Sequence, residues 1–192
     1  YPPIEGAWRQ KKELGGGGSL VDMGSHCIDL LEYIFNTKVI EVSCFIDNLV
    51  HNYEIEDTSL VMAKFQNKSF GVVDNFFNIP DSSSKNILEI YGSKGSILCR
   101  GTISQDSDGT AEFYIEEKEA GYDAGQKRAS TKKSIKLDVK PVNTYKKEIE
   151  YFADCIEKNR EPEISGYLGL HQVKVIEACY RSAKELRTVS IH

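Results

Sequence analysis

No stretch of this 192-residue chain stays apolar for the roughly 18 positions that a membrane-crossing helix needs. Its first residues also lack the basic-then-apolar layout of a secretory signal. Basic blocks and arginine stripes are missing too. The 24 Lys and Arg are outnumbered by 29 Asp and Glu, for a formal net charge of −5, which excludes the electrostatic footprint of a nucleic-acid binder. The five cysteines (Cys27, Cys44, Cys99, Cys155, Cys179) form no C-x-x-C pair and no Cys/His cluster. A structural zinc site or a disulfide framework is therefore not expected, and no metal ligand set is assigned. Scattered through helical and strand patterns, they read as reduced, mostly buried thiols of a cytoplasmic protein. Absent as well is a G-x-G-x-x-G between a strand and a helix with an acidic residue about 20 positions on, the arrangement that cradles a dinucleotide. Gly15 to Gly18 are consecutive and have no strand before them. An initiating Met is lacking, and the chain is expected to be a fragment of a longer one.

What is present is an ordinary globular composition, 40% hydrophobic and 28% charged, long enough to bury a substantial core in one domain spanning 1–192. The most informative stretch is Gly15-Gly16-Gly17-Gly18-Ser19-Leu20-Val21-Asp22-Met23-Gly24-Ser25-His26-Cys27-Ile28-Asp29. Glycines permit backbone conformations and close approaches that a Cβ forbids. Behind them the periodicity predicts a helix capped by Ser19 and ending near Phe35, with Met23, Cys27, Leu30 and Ile34 as its apolar stripe. Asp22, His26 and Asp29 fall at i, i+4 and i+7 on a second, polar stripe. A carboxylate one turn from an imidazole tunes and orients a base that works near neutral pH. The glycines are expected to leave that stripe open to a ligand. An Asp-x-x-x-His pair taken alone is more often a surface ion pair.

Along the rest of the chain, Pro2, Pro3 and Gly6 suggest an irregular lead-in, within which Trp8 reads as a packing anchor. Alternation predicts strands over 38–46, 58–65, 70–77, 86–91, 96–99, 111–116 and 134–139. Gln66-Asn67-Lys68-Ser69 and Gly92 to Gly95 are the hairpin turns. The polar run 118–133 reads as a loop rather than a flap. Two helices follow. The first starts at an Asn143 cap and repeats Tyr145, Ile149, Phe152 and Ile156. The second starts at Ser165, with Leu170, Val173, Ile176, Tyr180 and Ala183 as its buried stripe, and 189–191 adds an edge strand. His171 sits beside no carboxylate in sequence and is read as structural or exposed.

Helix, hairpins, then two helices describe an α+β fold: an open-faced, predominantly antiparallel sheet with helices on one face. The strands carry apolar residues on both alternation phases, Leu60 and Met62 against Val61, Ala63 and Phe65. The uncovered face therefore predicts a homo-oligomer formed by sheet-to-sheet packing.

The glycine-to-aspartate stretch resembles the G-G-G-x-L-x-D-x-G-x-H-x-x-D signature of the glucose–fructose oxidoreductase / inositol dehydrogenase (Gfo/Idh/MocA) family. Asp57-Thr58-Ser59-Leu60, the hairpin Glu89 to Ser96 and the helix Ile176 to Ala183 resemble later family segments in the same order. The resemblance implies the C-terminal domain of a two-domain dehydrogenase, the Rossmann domain and its catalytic E-K-P lysine lying outside this chain. It implies NAD or NADP bound mainly by that other domain, and a sugar, cyclitol or related polyol as substrate. His26 then matches the acid/base, and Asp22 the partner that orients substrate or imidazole. Arg9, Gly17 and Gly18 match the substrate side, and Asp29 holds the last signature position, in a role more structural than chemical. The intact protein is expected to be a dehydrogenase, and this chain alone inactive. A non-catalytic sugar sensor or dimerisation module, and an NAD-dependent glycosidase, stand as alternatives.

Overall fold

A computed structural model describes residues 1–103, 109–116, 132–137 and 141–192. The loop expected over 118–133 lies largely outside them, as do the middle of 101–109 and the end of the strand placed at 134–139. The described chain divides into two compact units, Tyr1–Ser83 with Pro162–His192, and Ser84–Glu161. Both are antiparallel, so the α+β class holds, but among the described residues eight strands form two four-stranded sheets rather than one.

In the first unit the sheet order is β3-β2-β1-β8, built from β1 (Val39–Asp47), β2 (Thr58–Phe65), β3 (Phe70–Phe76) and β8 (Val189–Ser190). The β2–β3 turn works because Lys68 takes a left-handed φ of 71°. Two helices cover one face: α1 (Ser25–Phe35), continuous with a preceding π-helical turn Leu20–Gly24, and α3 (Gly166–Glu185). Period-two alternation puts Ser59, Val61, Ala63 and Phe65 of β2 beneath these helices. They meet Leu20, Ile28, Val175 and Cys179 in a core from which all four helical residues are essentially excluded from water. The opposite face of the sheet is bare. Phe45 stands opposite Leu60, and Met62 opposite Val72, all of them exposed together with Phe70 and Phe76.

Local signals fix most helix ends. Asn36, left-handed at φ 47°, ends α1. In α3 the buried side is Val175, Ala178, Cys179 and Ser182, whereas Leu170 and Val173 of the expected stripe are exposed. A mixed helix surface gives two competing stripes, and packing selects the one with smaller side chains because β1 lies close beneath it.

The second unit holds β4 (Ile87–Gly92), β5 (Gly95–Arg100), β6 (Thr110–Glu116) and β7 (Lys132–Leu137) as a consecutive meander. It also contains α2 (Thr144–Glu157). Asn143 caps α2 as expected, its side chain accepting from the Lys146 N–H at 2.9 Å. The helical repeat Tyr145, Ile149, Phe152 and Ile156 is exposed, and Cys155 is the buried residue of that helix. All five cysteines are free and four are buried. No helix among the described residues is long and apolar enough to cross a membrane.

Candidate active site

Helix starts leave several main-chain N–H groups without intrahelical partners. Ser19 does not serve the helix that leads into α1. It is already helical (φ −57°, ψ −32°), fully buried, and its hydroxyl lies 3.3 Å from that of Ser59. The cap comes from Glu56, at the end of the β1–β2 connection. One carboxylate oxygen of Glu56 accepts from the N–H of Gly18 at 2.9 Å and of Leu20 at 3.1 Å. Its main-chain carbonyl accepts from the Ser19 N–H at 3.1 Å. The Tyr180 hydroxyl of α3 donates to the same carboxylate oxygen at 2.9 Å. A negative charge at the positive end of a helix is favourable on electrostatic grounds alone.

This clamp also explains the glycines. A Cβ on Gly18 would overlap the Glu56 carbonyl, and one on Gly17 would overlap the Tyr180 hydroxyl. At these two positions the absence of a Cβ lets the chain pack directly against Glu56 and Tyr180. The nearby Tyr180 hydroxyl is pushed well above its ordinary range, by burial first and then by the Glu56 charge.

Beyond the clamp the chain makes the π turn, closed by the Ser25 N–H to the Leu20 carbonyl, five residues apart. Asp22 sits in this turn, half-buried, and His26 lies exposed in the first turn of α1, with Asp29 half-buried one turn on. The imidazole is thus on the accessible side of the helix. Among the described residues neither Asp22 nor His26 is engaged by another protein side chain. Gly24 lies flush on β3: a Cβ there would stand 3.0 Å from the Asn75 amide nitrogen. Cys27, next to His26, is no activated nucleophile, because burial and the Asp74 charge both push its thiol up.

Asp57 faces the other way from Glu56. Completely buried, its carboxylate accepts from the N–H groups of Leu49 (2.9 Å), Val50 (2.9 Å) and His51 (2.8 Å), the Thr58 hydroxyl (2.8 Å) and the Asn78 amide (3.1 Å). Burial pushes its carboxyl up, but the three main-chain donors and Thr58 outweigh that and hold it down at about 2. Burial, with Asp57 and Glu56 nearby, pushes the Tyr53 hydroxyl up to about 12. Two adjacent acids thus tie the β1–β2 connection to the helix start on one side and to its own loop on the other.

Two further sequence readings are corrected. Trp8 is no packing anchor: it is exposed, with the Arg9 guanidinium 5.3 Å above its ring, and Arg9 is exposed as well. The lead-in is held instead by buried Gln10, which binds the Ile4 N–H and the Pro2 carbonyl. His171 does have a carboxylate partner. Its Nε2 lies 2.8 Å from Glu32 of α1, whose carboxylate also accepts from the Val39 N–H and the Gln172 amide, each at 2.6 Å. No local pattern signals that pair, 139 residues apart. Glu56 had one sequence signal, a pair of acids directly before a strand.

Chemically, the helix offers an accessible imidazole with a carboxylate a turn before it, on a segment pinned at its start. That suits proton transfer to or from a small hydroxylated ligand. The glycine run is not arranged as a pyrophosphate cradle: Gly17 and Gly18 are packed against Tyr180 and Glu56, and Gly15 lies against the Arg9 main chain. No cluster of three or more His, Cys, Asp or Glu able to hold a metal occurs among the described residues.

Comparison with known proteins gives one family model, described as the oxidoreductase family C-terminal alpha/beta domain, which matches residues 2–191. A 1,5-anhydro-D-fructose reductase of Ensifer adhaerens is 24% identical over 171 residues, covering 88% of this chain and 46% of that protein. A myo-inositol 2-dehydrogenase of Thermotoga maritima is 25% identical over 179 residues, covering 91% and 49%. A levoglucosan dehydrogenase solved with NADH and levoglucosan shares the fold, with a TM-score of 0.76 at 18% identity, over 96% of this chain and 53% of that one. The chain spans about half the length of the curated relatives it matches.

Proposed function

The chain belongs to the Gfo/Idh/MocA oxidoreductase family, as its C-terminal alpha/beta domain, and from that premise we propose that it is the substrate-binding and oligomerising part of a sugar or polyol dehydrogenase. In this reading His26 takes the proton of a substrate CH–OH group as the carbon is oxidised, and returns it in the reverse direction. Asp22 orients the imidazole or the substrate hydroxyl, Arg9 reaches the substrate from the lead-in, and Gly17, Gly18 and Asp29 shape the substrate side of the helix. NAD or NADP, held mainly by polypeptide outside this chain, supplies the hydride acceptor. The chain by itself is then inactive and works in the cytoplasm as part of the whole enzyme.

The observation that carries this reading is the exposed His26 imidazole with Asp22 one turn before it, neither engaged by another side chain among the described residues, on a helix whose start is fixed. Names of relatives supply the substrate class: the matched proteins act on anhydrofructose, inositol and levoglucosan by their descriptions. The bare apolar face of the first sheet, bearing Phe45, Leu60, Met62 and Val72, supports pairing with a second copy. In the intact enzyme His26→Ala is expected to lower turnover about 10²–10⁴-fold with the fold retained. A normal rate in a folded variant would refute the acid/base role and favour a sensor.

A further inference from the structure

We propose that Glu56 is a positioning residue for the Asp22–His26 pair, acting through the π-helical turn between them; this rests on the acid/base reading above. The turn Leu20–Gly24 is a conformation that proteins use sparingly, since it carries an extra residue per turn and opens the helix axis. Such local departures persist where the surroundings hold them on both sides. Here the front is held by Glu56, which binds three successive amides (Gly18, Ser19, Leu20) and is itself fixed by the Tyr180 hydroxyl. Behind it, Gly24 packs so closely on β3 that an added Cβ would stand 3.0 Å from the Asn75 amide nitrogen. Ser59 joins the two pins, lying 3.3 Å from the Ser19 hydroxyl and 3.2 Å from the Asn75 amide. Asp22 lies between the pins and His26 two residues past the second.

The physical consequence is one of register. An α-helical turn in place of the π turn rotates Asp22 about the axis relative to His26, so the two side chains no longer face one and the same ligand. A cap that merely stabilised a helix would serve equally well on an α-helical start. Glu56 binds Gly18 and Leu20 with one oxygen while its carbonyl takes Ser19, and that geometry fixes where the extra residue is inserted. Misplacement of a catalytic group by about 1 Å costs on the order of 10²-fold in rate.

The test uses the intact enzyme with Glu56→Ala and Glu56→Gln. Its readouts are steady-state kinetics per folded molecule and amide hydrogen exchange over 18–24. For Glu56→Ala we expect kcat to fall about 10–100-fold, the sugar KM to stay within about threefold, and exchange over 18–24 to rise. A fall in kcat with KM held separates mispositioning of the pair from lost substrate binding. Glu56→Gln keeps an oxygen that accepts both amides and should recover most of the rate. Should Glu56→Ala fail to fold, Tyr180→Phe removes only the hydroxyl that fixes the carboxylate, and is expected to raise exchange over 18–24 and lower kcat several-fold. Faster exchange with unchanged kcat would reduce Glu56 to a helix cap and overturn the proposal, as would no change in Tyr180→Phe. Full activity in His26→Ala would instead refute the acid/base reading, while the exchange data still judge the clamp.

Discussion

The Asp57 carboxylate provides the most quantitative test of how the first unit is held together. It is wholly buried yet ionised, because three main-chain N–H groups, the Thr58 hydroxyl and the Asn78 amide all point at two oxygens. Its folded pKa of about 2 lies below the ordinary 3.8. A depressed carboxylate stabilises the fold fully above its unfolded pKa, and this is lost as pH falls through the folded value. The difference, at 1.36 kcal/mol per pH unit, is about 2 kcal/mol, present at neutral pH and lost progressively between about pH 5 and pH 2. Asp57→Asn keeps the size but removes the charge and turns an NH2 group toward donors. At pH 7 it should cost about 2–4 kcal/mol. The informative quantity is the gap between wild type and variant in urea unfolding at pH 7, 4.5, 3 and 2.5. Other titrating groups act on both proteins and cancel, so the gap should shrink by about 2 kcal/mol as Asp57 protonates. A gap that stays constant with pH, or is below about 0.5 kcal/mol at pH 7, would refute the account of a charge held by loop amides.

Two other outcomes follow from the same geometry. Met62→Lys places a charge in the middle of the bare sheet face, opposite Val72. It should convert the paired form proposed above to monomer by light scattering while the monomer stays folded, since that side chain is half exposed; an unchanged mass would refute pairing through this face. Glu32→Ala strands the Val39 N–H and the Gln172 amide and frees His171. It should destabilise the unit by about 2–4 kcal/mol in chemical denaturation, and a loss below about 0.5 kcal/mol would show that water replaces the carboxylate.

Much of the fold was readable locally. Strand alternation, the turn at Lys68, the hairpin around Gly92 and Gly95, and the Asn143 cap depend on neighbours a few residues apart, and these elements stand as expected. The Ser19 cap failed for an instructive reason. A serine before an apolar run is a good local cap, but Glu56, brought by the fold, takes the same amides with its carboxylate and its own main-chain carbonyl. Trp8 misled because an aromatic in a short lead-in has no periodic pattern to say whether a surface awaits it. The stripe in α3 misled because two faces of that helix are apolar, and periodicity cannot say which one meets β1.

The order of residues alone placed Asp22, His26 and Asp29 on one helix, marked the strands as apolar on both phases, and set the family signature from Gly16 to Asp29. These are properties of spacing along one segment. Folding decided that Glu56 and Tyr180 grip the helix start, that the first turn is π rather than α, and that Glu32 meets His171. The contacts of Glu56 with the helix start and Tyr180, and of Glu32 with His171, join groups 36 to 139 residues apart, and only burial of the shared core brings such partners within hydrogen-bond distance.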